Sequence, residues 1–337
     1  VNHWGKILLG IAVTGALLWW TLSGVALSEV FEAIREGNAT LLLAAAFVAT
    51  TGCVIRAIRW KILLAAVKPD TKLGSRIAAM FIHFMTNNLL PLRVGEFARA
   101  WVFSRLEPVS PSGAFGSVVV ERFMDAVVLL TFLVVPVLLP GFPDSGALAD
   151  GWGGLVLKAG TLAVLVILAA LILAVALPGP FVRVAESTSA ILPSRVRAPL
   201  LGALGSFLDS LTVLRDPKLV ILGFGWSFVF WAWHALSFWL GMLAFGIDTG
   251  YVSALFTTAV VGFGVALPAA PGFLGTFQAA ALFAVRDIYG AAAAPALAFA
   301  FGYFFASWFP ITVVGLVYVW KLGLSLGDLG SSEDRVS

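Results

Sequence analysis

The sequence predicts an all-α polytopic membrane protein of about six full spans plus two re-entrant or broken helical hairpins, eight helical segments or more. Three observations predict it. Of 337 residues, 60 % are hydrophobic and only 12 % are charged, where a soluble domain is about a quarter charged. The mean hydropathy is +1.00. The apolar residues also fall in long uncharged runs, on the scale of the roughly 20 residues a helix needs to cross ~30 Å of hydrocarbon. That leaves too little polar surface to coat a water-soluble globule, and the same composition excludes disordered, collagen-like and disulfide-rich secreted classes.

The runs define the elements in order: Ile7–Leu27, Ala39–Ile55, Ile77–Leu92, Ala126–Phe142, Ala159–Val182, Leu219–Ile247, Thr249–Val285 and Ile288–Trp320. The first lacks a small-residue cleavage site and reads as a retained span. Two of the others do not fit a simple span. Ile77–Leu92 is only 16 residues, ends at Asn87, Asn88 and Pro91, and runs into a charged segment. Thr249–Val285 would be about 55 Å long as one helix, and Pro268, Pro271 and Gly272 interrupt it. Proline inside a helix removes a hydrogen bond and clashes with the preceding turn. Both segments are therefore expected to be broken helices. Ser194–Asp216 carries Leu200, Leu204, Phe207, Leu208 and Leu211 on one face, as an amphipathic helix in the membrane interface would.

Loop charge sets the orientation. Residues 56–76 hold Arg56, Arg59, Lys61, Lys68, Lys72 and Arg76 against Asp70, and residues 183–218 hold Arg183, Arg195, Arg197, Arg215 and Lys218. Residues 28–38 are acidic, with Glu29, Glu32 and Glu36, and residues 140–153 carry Asp144 and Asp150 with no base. The positive-inside rule places the basic loops in the cytoplasm. The pattern is self-consistent if residues 77–105 enter and leave from the cytoplasm and the Pro268 break enters from outside. Residues 1–337 then form a single integral membrane domain in the cytoplasmic (inner) membrane of a prokaryote, with both termini cytoplasmic. Its first half is 1–142, its second half is 153–320, and 321–337 is a polar tail. Two such halves would be an inverted-topology repeat whose broken helices meet near the midplane; eight simple spans are the alternative.

Several chemistries are excluded. The net charge of +3 is carried by loops that set topology, so no nucleic-acid partner is expected. Cys53 is the only cysteine, and His3, His83 and His234 are scattered, so neither a disulfide nor a metal site is expected. His234, among Trp231, Trp233, Phe238 and Trp239, reads as a packed side chain. The sequence has no nucleotide-binding loop, Ser/His/Asp set or zinc pattern. No cofactor and no catalytic residue are expected, and transport would be passive or ion-coupled.

Three stretches carry the candidate site. In Asn87–Arg99, charge at membrane depth costs several kcal/mol unless it faces a cavity or partner. Arg93, Glu96 and Arg99 fall on an arc of about 120° at helical spacing. A fresh helix start beside two guanidinium groups suits a phosphate; otherwise the two arginines are topology charges. Glu121, Arg122 and Asp125 share one helix face, either as an acid/base pair or as an ion-pair knot locking the span to the hairpin through Arg93 or Arg99. In Leu267–Gln278, a helix restarting after Pro271 aims free N–H groups into the membrane, or Pro268, Pro271 and Gly272 make a plain kink.

Together Asn87–Arg99, Glu121–Asp125 and Leu267–Gln278 resemble the lysylphosphatidylglycerol synthase transmembrane family, the flippase-like membrane region of the multiple peptide resistance factor, over roughly residues 5 to 320. The resemblance implies movement between leaflets of lipids with polar or charged head groups, such as aminoacyl-phospholipids, glycolipids or polyprenyl-phosphate-linked sugars. No soluble aminoacyl-transferase domain follows Trp320, so lipid lysylation is not expected here. Gln278 stands where the family often carries glutamate, so an obligatory acid is not carried over. The expected function is a flippase or transporter, not an enzyme, for a phosphate-bearing lipid. Arg93 and Arg99 would grip the phosphate and Glu96 would orient them or take a cationic head group. Asn87, Asn88, Glu121, Arg122, Asp125, Pro268, Pro271, Gly272 and Gln278 would complete the substrate site. Expected partners are membrane lipids with phosphate head groups, a lipid-modifying enzyme and a second copy of the chain. The runner-up readings are a membrane-embedded transferase acting on lipid phosphates, with Glu121 or Asp125 as base, and a non-catalytic scaffold.

Overall fold

A computed structural model describes residues 3–22, 26–90, 93–143, 212–266 and 271–331, with isolated positions at 162, 166, 169, 201 and 205. All regular structure among the described residues is helical: α1 (His3–Leu22), α2 (Leu27–Glu36), α3 (Ala39–Leu63), α4 (Leu73–Leu89), α5 (Gly95–Leu106), α6 (Pro111–Leu138), α7 (Pro217–Ala244), α8 (Gly250–Gly264), α9 (Thr276–Leu282) and α10 (Ala293–Lys321). The expected span Ala159–Val182, most of the expected interfacial helix 194–216 and most of the acidic loop 140–153 lie outside the described residues, as do Pro91 and Pro268.

Local chemistry starts the helices. Asn38 caps α3 by accepting from the Thr40 and Leu41 N–H groups, both at 3.1 Å. Asp216 caps α7 through Lys218 N–H at 2.9 Å, with Pro217 in the first turn, where a missing N–H costs nothing. Ser110 and Pro111 start α6 in the same way. The helices α3, α7 and α10 are long and apolar enough to cross a membrane. At 28 residues α6 is as long as α7, but it carries Glu121, Arg122 and Asp125 in mid-helix.

The expected segments that fall among the described residues reappear with shifted ends. The second span does not stop at Ile55: α3 runs on to Leu63, taking Arg56, Arg59 and Lys61 into the helix. Arg56 and Arg59 are thus not loop charges, because acids on α6 hold them inside the protein. The third span starts at Pro111 instead of Ala126 for the same reason: its charges are paired, so they do not end the helix. The last span begins at Ala293, after Gly290 turns the chain at φ 73. The tail expected from 321 contains a short helix, Leu326–Gly330, capped by Ser325, and its Leu329 is buried.

Packing follows membrane rules. Lipid tails are as apolar as leucine, so helices associate through close backbone approach at small residues. On α3, Ala45, Ala49, Gly52 and Ala57 are small, and α7 packs along this helix. A Cβ at Gly52 would come within 3.3 Å of the Phe230 ring. At one end Trp60, Leu63, Phe103 and Met124 join α3, α5 and α6 in a core, with Trp60 and Phe103 centroids 4.5 Å apart.

The helices α4 and α5 form a hairpin whose two ends are clamped together. Glu107, just past α5, accepts from Lys68 Nζ at 3.1 Å, Lys72 N–H at 3.1 Å and the Ser75 hydroxyl at 2.8 Å. The chain therefore leaves α5 at the level where it enters α4. The second broken segment comprises α8, a turn at Pro271–Phe273 and α9, and α8 packs on α9. The tips of the two segments meet. A Cβ on Gly272 would lie 3.1 Å from the Asn88 carbonyl and 3.0 Å from Trp308 Nε1. Arg93 sits over the Phe273 ring at 4.9 Å.

Candidate functional site

Two carboxylates on one face of α6 organise the site. Around Glu121, Arg99 donates from Nη1 to Oε1 at 3.0 Å and from Nη2 to Oε2 at 2.7 Å. Arg56, Arg59 and Arg122 also reach Oε1, at 3.3, 3.1 and 2.9 Å. Asp125 takes Arg59 at 2.5 Å and Arg56 and Arg122 at 3.4 Å. The Trp231 indole N–H completes its shell at 2.9 Å. Four guanidinium groups thus converge on two carboxylates, from α3, α5 and α6. Aromatic faces share the cationic load: Arg99 lies 3.8 Å from the centroid of Trp60, and Arg56 lies 4.1 Å from that of Phe230. A cation over an aromatic ring keeps attraction that water would otherwise supply.

Beside this knot lies a cavity of about 380 Å³. Its walls carry Arg56 on α3, His83, Asn87 and Asn88 on α4, Arg93 and Glu96 at the first break, and Arg122 and Asp125 on α6. Trp231 and His234 on α7, Gly272 and Phe273 at the second break, and Trp308 on α10 close it. Most of the remaining wall is apolar. The cavity therefore combines cationic and hydrogen-bonding groups with a largely apolar lining.

The first break is built by exclusion of side chains. Gly95 N–H donates to Asn87 Oδ1 at 2.9 Å, and a Cβ at Gly95 would collide with the His83 carbonyl. The helix α5 starts at this glycine. Arg93 precedes it at φ 55, a left-handed conformation uncommon for a residue with a side chain. The expected helical arc of Arg93, Glu96 and Arg99 is therefore corrected. Only Glu96 and Arg99 lie on α5, while Arg93 swings across to Phe273. Asn87 Nδ2 donates to Glu96 at 3.4 Å, and Asn88 ties the tip to α10 through Thr312 at 2.8 Å.

Asn87, Asn88, Arg93, Glu96, Arg122, Asp125 and Gly272 are brought together at the cavity. Arg99 and Glu121 stand behind it, both at 0 % exposure, joined to one another. Pro271 opens the turn of the second break. Gln278 does not reach the cavity wall; its Oε1 accepts from Gly275 N–H at 2.8 Å, closing the N-terminus of α9. His234 packs against Phe230, Trp231 and Phe238 with centroids 5.3 to 5.8 Å apart. Sequence reasoning did not name Arg56, Arg59, His83 or Trp308 for the site. For the first two a signal existed: Arg56 and Arg59 share a helix face at i, i+3 and continue the small-residue side of α3.

Long apolar helices enclosing a buried arginine-rich cavity define a polytopic integral membrane protein. The chain belongs to the family described as the lysylphosphatidylglycerol synthase TM region, which matches residues 7–315. It is similar to a UPF0104 membrane protein of Methanothermobacter thermautotrophicus, 24 % identical over 297 residues, covering 82 % of this chain and 83 % of that one. It is also similar to the glycosyltransferase AglD of Haloferax volcanii, 31 % identical over 124 residues, or 36 % of this chain. The chain spans only 19 % of the length of that relative.

Proposed function

We propose that the protein moves a lipid with a phosphate-bearing head group across the cytoplasmic membrane, with the head group passing through the cavity between the two broken hairpins. The observation that carries this is that Arg56, Arg93 and Arg122 line one cavity together with a large apolar surface. Guanidinium forks match phosphate oxygens in geometry and charge. An apolar wall tolerates the first part of the acyl chains. Arg93 and Arg122 would touch the phosphate, and Glu96 would orient them or meet a cationic group on the same lipid. Membership of a lipid-linked membrane family supports the reading. The α4–α5 hairpin enters from the cytoplasm in this scheme, with both termini on that side.

The alternative of a membrane-embedded transferase needs Glu121 or Asp125 as a base. Each accepts from three or more strong donors, so neither is available to take a proton from substrate. The test is reconstitution in liposomes with a fluorescent phospholipid and a membrane-impermeant quencher. Translocation predicts loss of signal well beyond the outer-leaflet share. Loss no greater than in protein-free liposomes refutes it.

A further inference from the structure

A second concavity shares a residue with the first. It is a groove of about 800 Å³, and every described residue that lines it belongs to α3 or α10. Small side chains, Ala46 and Ala306, line it beside Leu43, Phe47, Phe305 and Phe309, which are 51 to 72 % exposed. Both helices are long and apolar enough to cross a membrane. The Thr50 hydroxyl, the one hydroxyl in the lining, is spent on the Ala46 carbonyl at 2.7 Å. On α3 the groove residues end at Thr50, and the cavity residues begin at Ala49 and continue through Gly52, Cys53 and Arg56. On α10, Trp308 lines both spaces. Its carbonyl accepts from the Thr312 hydroxyl at 2.7 Å, which in turn accepts from Asn88 at the tip of the first break. Two residues on, Pro310 lies inside α10 and has no N–H to give the Ala306 carbonyl, so the helix can bend where Trp308 stands.

From this we infer that the groove between α3 and α10 holds an acyl chain of the lipid whose head group enters the cavity, and that head group and chain part at Trp308. The inference rests on the proposed lipid function and adds the path of the chain to it. A head group can then stay among the arginines while its chain stays in hydrocarbon, so no chain has to cross the polar lining of the cavity. The continuity of the two spaces along α3 and at Trp308 ties the groove to this lipid. The chemistry of the lining favours a chain over a second copy of the protein. Helices in lipid associate through small residues that let backbones approach, or through polar side chains that bond across the interface. The exposed residues here are leucine and phenylalanine, and the Thr50 hydroxyl is already bonded within its own helix. With α3 entering from the outer face at Ala39, as the proposed topology has it, the groove leads from the cavity toward the outer leaflet.

The test is photolabelling of the full chain in liposomes by phosphatidylglycerol carrying a diazirine on one acyl chain, with labelled positions read by peptide mass spectrometry. Phe47, Phe305 and Phe309 should be labelled severalfold more than Ile221 and Val229, which are similarly exposed on the span α7. Equal labelling of the groove and α7 overturns the groove as a site for chains. Ala306→Phe adds bulk inside the groove and alters no residue of the cavity lining. In that variant groove labelling should fall to the α7 level and phospholipid translocation should slow severalfold; the wild-type ranking tests occupancy without the variant if it fails to fold. Wild-type translocation in Ala306→Phe, with groove labelling lost, overturns the path of the chain while leaving head-group transport standing. Rapid disulfide dimerisation of Phe309→Cys, absent from Ile221→Cys, would assign the groove to a second copy and overturn the lipid occupant. A wild-type protein that moves no phospholipid refutes the proposed function, and the labelling ranking still decides whether the groove holds chains.

Discussion

Arg99 and Glu121 form a two-pronged ion pair, 3.0 and 2.7 Å, between the second arm of the broken hairpin and the long helix α6. Both side chains are wholly buried. The pair fixes the height of α5 against α6, and with it the position of Glu96, one turn earlier on α5 at the cavity wall. Its role follows from this placement: it braces the site and does not face the cavity.

Glu121→Gln should therefore destabilise strongly. Removing one charge from a buried pair costs about 3–5 kcal/mol, because the partner is left uncompensated, and here four guanidinium groups lose a shared negative charge. Thermal denaturation in detergent should show a markedly earlier transition. Arg99→Lys should fall between wild type and Glu121→Gln, since it keeps the charge and loses the second donor. An unchanged melting curve for Glu121→Gln would remove the bracing role.

The base of the hairpin should respond to acid. Burial disfavours the charged form of Glu107, but the Lys72 N–H, the Ser75 hydroxyl and Lys68 outweigh it and hold its carboxyl below the usual carboxylate range. A depressed carboxyl contributes stability that is complete above its unfolded value, about 4.3, and is lost as pH falls through the lower folded value. Thermal stability should fall with acidification below about pH 4.3, and Glu107→Gln should lower stability at pH 7 while weakening that dependence. The same slope in wild type and variant would contradict the assignment.

Gly272→Ala should impair both folding and transport. Its φ of 73 is left-handed, and a Cβ would press on Trp308 and the Asn88 carbonyl. The backbone alone costs about 1–2 kcal/mol, and the contact forces the two tips apart. Gly290→Ala, at the same φ but with open space around it, should show only the backbone cost. Equal transport loss in both would mean that tip contact does not matter.

Topology can be read by labelling, because Cys53 is buried and gives little background. Cysteines at Lys72 and Pro108, at the two ends of the α4–α5 hairpin, should both react only from the cytoplasmic face. Reaction from opposite faces would make residues 77–105 a simple crossing.

Much of this architecture was legible in the sequence because apolar runs and proline breaks act locally. The two broken segments fell where Asn87–Gly95 and Pro271–Gly275 place them. What could not be read was pairing at a distance. Arg56 and Arg59 look like loop charges after an apolar run, and only a partner 65 to 69 positions away turns them into buried residues of α3. Arg93 departs from the helical arc because the collision at Gly95 involves His83, on another helix. The contact between Gly272 and Asn88 is set by the packing of α4 and α10 around the second break, which no local pattern encodes.

Transport of the proposed kind needs a lipid head group gripped by the arginines that line the cavity. Liposome translocation by the double variant Arg93→Gln, Arg122→Gln, compared with wild type at equal insertion, tests it most directly. The variant should insert and purify, since Arg56, Arg59 and Arg99 still pair Glu121 and Asp125, yet move phospholipid no faster than protein-free liposomes. Wild-type rates in the double variant would contradict it and reduce both arginines to charges that set topology.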